Sequence, residues 1–151
     1  MNGTYGGESL SHTKWECKYH VVFIPKCRRK TLYGELRPHL GAVLRELARQ
    51  RESKIEEGHL VVDHVHMLIS IPPKYSVAQV MGYMKGKSAI HIARTWLGRR
   101  QNFVGHHFWA RGYWVSTVGR NEAVIRKYIQ EQEQEDKRLE QLGLFEGRKP
   151  L

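Results

Sequence analysis

KIEEGHLVVDHVHMLISI, residues 54–71, reads as two extended runs, Lys54–Val62 and Val65–Ile71, with only Asp63 and His64 between them. A link that short leaves no room for a crossover helix, so the runs pair as an antiparallel hairpin and a parallel doubly wound fold fits poorly. Strand side chains alternate, so His64 and His66 leave one face while Val65, Met67, Ile69 and Ile71 fill the other. Pro72-Pro73 ends the second run.

The flanking sequence supplies the rest of a mixed fold. WECKYHVVFI, Trp15–Ile24, has the β-branched and aromatic content of a strand, and Pro25 ends it. Leu36, Leu40, Val43, Leu44 and Leu47 recur at helical spacing, with Pro38 tolerated in the first turn, which predicts a helix ending before Ser53. Ser76 and Gln79 form a capping-box signature for a second helix to about Leu97, with Gly98 as its stop. FWARGYWVSTVG, Phe108–Gly119, reads as a further strand, and Asn121 caps a last helix running toward Leu142. The expected class is α+β: a ferredoxin-like or RRM-like sandwich, with helices on one face of an antiparallel sheet and the histidine pair on a central strand. Residues 1–14, rich in Gly, Ser, Thr and Asn, are expected to be a flexible tail, and residues 15–151 a single domain.

Charge points to the partner. The chain carries 25 Lys and Arg against 15 Asp and Glu, a net charge of +10, and such an excess of one sign suits a polyanion. Lys26, Arg28, Arg29 and Lys30 form one basic cluster; Lys85, Lys87, Arg94, Arg99 and Arg100 form another, interleaved with Tyr83, Trp96 and Phe103. Cations beside aromatic faces suit unpaired nucleotides, through phosphate contact and base stacking; solvated helix faces are the competing reading. Cys17 and Cys27 cannot make a disulfide framework, and the chain has neither a membrane-length apolar run nor a signal-peptide core, so a cytoplasmic location is expected.

His-x-His alone is a weak motif, and it fits either a divalent-cation site or two satisfied structural histidines. Its place at the end of an apolar strand, where an unpaired imidazole is costly, strengthens the case for a site, while the local sequence alone still leans toward structural histidines. Asp63 is expected to orient or turn rather than to ligate. Tyr128 lies on the apolar stripe of the last helix and fits a core tyrosine, but Gln132 follows one turn later beside Arg126 and Lys127. A phenol near a cation and basic side chains can attack phosphorus, and Gln132 can supply an oxygen ligand.

The sequence resembles the small single-tyrosine HUH transposases of bacterial insertion sequences, which move as single-stranded DNA. The resemblance rests on His64-Val65-His66 within DHVHMLISIPPKYSV (residues 63–77), GYMKGKSA (82–89), FWARGYWVSTVG (108–119) and Tyr128, in the family's order and spacing. It implies Tyr128 as nucleophile, His64, His66 and Gln132 as ligands of Mg²⁺ or Mn²⁺, and a 5′-phosphotyrosine intermediate. It also implies a homodimer in which the tyrosine helix of one subunit commonly completes the other's site, with Val118-Gly119 as the approach to that helix. Such proteins grip a DNA hairpin near each element end, a role that falls here to the basic clusters, with Arg111 nearer the chemistry. Two alternatives share much of this pattern: a domesticated relative acting on host repetitive palindromes, and a non-catalytic single-stranded nucleic-acid-binding module. The second is disfavoured because HVHMLISI carries no aromatic for base stacking.

Overall fold

The structure is a computed structural model that describes residues 8–10, 13–26, 36–61, 63–97 and 108–141. Its elements are β1 (Glu8–Leu10), β2 (Thr13–Trp15), β3 (Lys18–Phe23), α1 (Leu36–Gln50), β4 (Lys54–Val61), β5 (His64–Ser70), α2 (Val77–Ile92), β6 (Trp114–Val118) and α3 (Glu122–Gln141). Strands β4, β5, β3 and β6, in that spatial order, form one antiparallel sheet. The expected hairpin is β4–β5, and the His64/His66 strand is central. The expected α+β class holds.

Residues 1–14 were expected as tail, but β1 and β2 form a small hairpin that pairs Glu8 with Trp15 and Leu10 with Thr13. A pairing of two three-residue strands leaves no periodic signature in the sequence.

Parity along the strands sorts the two sheet faces. Val21, Phe23, Val65, Met67, Ile69 and Ile71 join Leu40, Leu44, Met81, Met84 and Ile92 in one apolar cluster, so α1 and α2 cover that face. The α2 start is closed by the expected reciprocal cap: Ser76 Oγ accepts from the Gln79 amide at 3.0 Å, and the Ser76 amide donates to Gln79 Oε1 at 2.8 Å. Beyond Ile92 the helix continues as a π-helical turn, Ala93–Leu97.

α3 lies across the opposite face, over β4 and β5, where Tyr128 meets His66 and Asp136 meets His59. The expectation of helices on one face is therefore corrected: it holds for α1 and α2 only. This second cover explains why Leu68, His66 and Ser70, which point away from the apolar cluster, are also buried.

The attachment of α3 is mostly polar. Ile129 is buried, while Lys18 Nζ pairs with Glu122 Oε1 at 2.9 Å and Arg126 bonds the same carboxylate at 2.8 Å. A bulge between Ile55 and Glu57 interrupts the alternation of β4, and Arg126 reaches both Glu56 and Glu57, at 3.6 Å each. At the far end Asp136 accepts from Arg37 Nη1 at 2.7 Å.

The stretch Phe108–Gly119 is not one strand. Trp109 bridges Pro25, and β6 starts only at Trp114, because Gly112 turns the backbone at φ +77°.

Candidate active site

The sheet face under α3 carries the chemistry-bearing side chains. Register places Val22 and His59 on either side of His66, and Val61 opposite His64. The His64 and His66 rings stand 4.5 Å apart between centroids, on the same face as expected. Asp63 Oδ1 lies 2.7 Å from His64 Nδ1. A carboxylate can only accept, so this contact places a proton on His64 Nδ1, and in the neutral ring the lone pair is then on Nε2. Asp63 is thus an orienting group, as its position suggested.

His66 is buried, and burial, with the neighbouring imidazoles adding to it, holds its pKa down at about 4. It is therefore neutral at ordinary pH, the form that can donate a lone pair to a metal.

Tyr128 arrives from α3. Its ring packs edge-on against His66 at 5.6 Å and against His20 at 6.2 Å, and the residue is 44% exposed. The reading of Tyr128 as a buried core residue is therefore set aside. Val22, Ile24, Asp63, His64, His66 and Tyr128 together line a cavity of about 330 Å³. A larger cavity of about 390 Å³ between α1, β4 and α3 touches His66 but holds neither His64 nor Tyr128. The smaller one is the candidate active site.

Gln132 is half-buried one turn beyond Tyr128 and is not among the residues lining this cavity. The fold thus gathers two of the three expected ligands with the tyrosine and leaves the third a turn away. Among the described residues no three His, Cys, Asp or Glu side chains converge as a ligand set. The donor set still fits a divalent cation: two imidazoles, one held by a carboxylate, border an open cavity, leaving further positions to an amide or to substrate oxygen.

The basic residues divide. Lys87, Arg94 and Arg111 are exposed, as phosphate contacts require. Lys85 is not available in that way: its ammonium donates to the Ala110 and Gly112 carbonyls at 2.8 and 2.6 Å, closing the gap before β6. Burial accordingly lowers its pKa. Arg28, Arg29, Lys30, Arg99 and Arg100 lie outside the described residues.

Two residues at the site went unnoticed in the sequence. His20, on β3, is buried with Nε2 at 3.3 Å from His66 Nδ1, and Trp114, 53% exposed, packs edge-on against His20 at 5.1 Å. The available signal for His20 was a polar residue inside the apolar run YHVVF, the same anomaly that drew attention to His66.

Comparison with known proteins now decides the family. The profile described as "Transposase IS200 like" matches residues 13–132, most of the chain and all of the site. The chain belongs to the IS200-like transposase family. It is 46% identical, over 94% of its length and 97% of the relative's, to the transposase for insertion sequence element IS200 of Salmonella typhimurium. A crystal structure from Deinococcus radiodurans, assigned to a transposase, superposes with a TM-score of 0.67 at 25% identity, covering 83% of this chain and 98% of that one. A REP-associated tyrosine transposase, solved bound to a REP hairpin, shares the fold with a TM-score of 0.55 at 14% identity, over 81% of this chain and 68% of its own. As an IS200-like transposase the chain is a DNA-cleaving and rejoining enzyme. No described helix in this IS200-like chain is long and apolar enough to cross a membrane.

Proposed function

We propose that this transposase cleaves and rejoins single-stranded DNA at insertion-sequence ends through a 5′-phosphotyrosine, after binding a hairpin near each end. The observation that carries the reading is the meeting of Tyr128, from the last helix, with His64 and His66, from a central strand, around one open cavity.

In this reading His64, His66 and Gln132 hold Mg²⁺ or Mn²⁺, which when bound withdraws charge from the scissile phosphate. Imidazole donors favour Mn²⁺ over Mg²⁺ in affinity, while cellular abundance favours Mg²⁺. Tyr128 Oη forms a bond to phosphorus as the bond from phosphorus to O3′ breaks; the phenolic proton is lost and the departing 3′ oxygen gains one. The phosphodiester energy is kept in the Tyr128–phosphate bond, so attack by another 3′-OH rejoins strands without ATP and returns the tyrosine. Water attack would forfeit that reversibility.

The REP hairpin held by the structural neighbour supports hairpin DNA as substrate. Lys87, Arg94 and Arg111, with Arg28, Arg29, Lys30, Arg99 and Arg100, are the proposed phosphate contacts, and Lys85, taken up by the Ala110 and Gly112 carbonyls, is left out of that set. The working unit is proposed to be a homodimer, for β6 is an edge strand whose Trp114 and Val115 are exposed. In the single chain described, Tyr128 stands beside its own chain's histidines.

The test uses 5′- and 3′-labelled single-stranded hairpin DNA from the flanks of the gene, with Mn²⁺ or Mg²⁺, on denaturing gels. A covalent adduct that disappears in Tyr128→Phe, His64→Ala and with chelator is expected, with hairpin binding kept within a few-fold in the tyrosine variant. Cleavage retained by Tyr128→Phe would refute the nucleophile, and tight binding with no adduct on authentic flanks would favour a binding module.

A further inference from the structure

His20 is a buried polar side chain that the strand-transfer reading leaves without a task. It does not line the cavity shared by His64, His66 and Tyr128, and its Nε2 faces a ring nitrogen, so it is not placed as a ligand. The two rings are nearly parallel, 18° apart with centroids at 5.5 Å, and the contact between His20 Nε2 and His66 Nδ1 is 3.3 Å. Trp114 and Tyr128 pack edge-on against His20, which limits how far its ring can turn.

Two facing imidazole nitrogens at that separation hold one proton between them. If His20 donates it, a neutral His66 carries its own proton on Nε2 and has no lone pair for a cation on the side away from His20. If His66 donates it, the His66 Nε2 lone pair is free. His64 already shows the second arrangement, for Asp63 Oδ1 accepts from its Nδ1 at 2.7 Å.

We infer that His20 is a positioning residue that accepts the Nδ1 proton of His66 and so fixes the tautomer in which His66 Nε2 is the donor nitrogen at the active site. His20 and Asp63 then do the same job for the two histidines from different directions, one from the neighbouring strand and one from the preceding turn. A histidine in this place differs from a second carboxylate in adding no negative charge to the buried face. The inference rests on the reading of His66 as a cation ligand, and its test separates the two.

The tautomer is read first, on the full metal-free chain, by ¹⁵N NMR of the histidine rings. His66 is expected to be protonated at Nδ1 and bare at Nε2; a proton on Nε2 overturns the inference whatever any variant does. Mn²⁺ affinity is then measured by the EPR signal of the free ion. His20→Phe, which keeps an aromatic ring and removes the acceptor, should weaken binding by roughly 10- to 100-fold. His20→Gln, whose amide oxygen can accept the same proton, should recover most of that loss. Thermal unfolding of both variants separates lost affinity from lost fold. Equal Mn²⁺ affinity in a folded His20→Phe would make His20 a packing residue. If the parent chain binds no Mn²⁺ while His66 shows the expected tautomer, the cation reading fails and the tautomer assignment stands.

Discussion

The two faces of the sheet are held by different physics. Under α1 and α2 the contacts are apolar: Leu40, Val80, Met81, Met84 and Ile92 are fully buried against Val21, Met67 and Ile69. Under α3 the buried apolar residues among those described are Ile129 from the helix and Leu68 from β5, and the other contacts are ion pairs, hydrogen bonds and histidines. Apolar burial is non-directional and tolerates no water, so the first face sets a rigid scaffold. Polar contacts are worth less net and can be exchanged for water, so the second face can open more readily than the first. The helix that bears Tyr128 is therefore more easily released than the strand that bears His64 and His66.

The sharpest way to break this contrast is to cut into the first face. Met81→Ala should cost about 2–5 kcal/mol in denaturant unfolding, with loss of the whole fold rather than of one helix. A cost below about 1 kcal/mol would mean that this face is less tightly packed than its burial implies.

Acid should act on the second face instead. His59 and His66 are buried there, each with a pKa held at about 4 by burial, and that of His20 is lowered for the same reason. The unfolded chain takes up these protons near the ordinary histidine pKa and the folded chain only at lower pH. Stability is thus complete above about pH 6.5 and falls as pH drops toward 4, by on the order of 4 kcal/mol for His59 and His66 together at pH 5. A melting temperature unchanged between pH 7 and 5 would show these histidines to be wetter than their burial indicates.

Ile129→Ala should cost about 2 kcal/mol and show as local opening: amides of α3 should exchange faster while those of β5 keep their protection. Uniform loss of protection across the chain would place α3 in the same cooperative unit as the core. The smallest effect is expected from Arg126→Ala, which removes half-buried contacts to Glu56, Glu57 and Glu122. It should cost less than about 1 kcal/mol, and the difference from the parent should shrink in high salt.

Most elements were legible because their signals are local. The tight Asp63-His64 link forced a hairpin, helical spacing marked α1, and Ser76 with Gln79 marked the start of α2 through a cap that closes within four residues. What escaped depends on partners remote in sequence. Lys85 looks like any exposed cation in GYMKGKSA, yet it is drawn inward by two carbonyls that Gly112 leaves without a strand partner. The break in Phe108–Gly119 was hard to read for a different reason: strand-favouring aromatic residues stand on both sides of Gly112.

The sequence by itself determined the strand bearing His64 and His66, their shared face, the basic balance of the chain and, through its motifs, the family. Alternation along a strand and charge are properties of neighbouring residues, so no fold is needed to read them. Only the tertiary structure decided that α3 crosses the opposite face, that Tyr128 stands within 6 Å of His66, that Gln132 does not line the same cavity, and that His20 touches His66. Those facts are set by which sheet face a helix buries and by the register between β3 and β5, and both are settled by the packing of the whole chain.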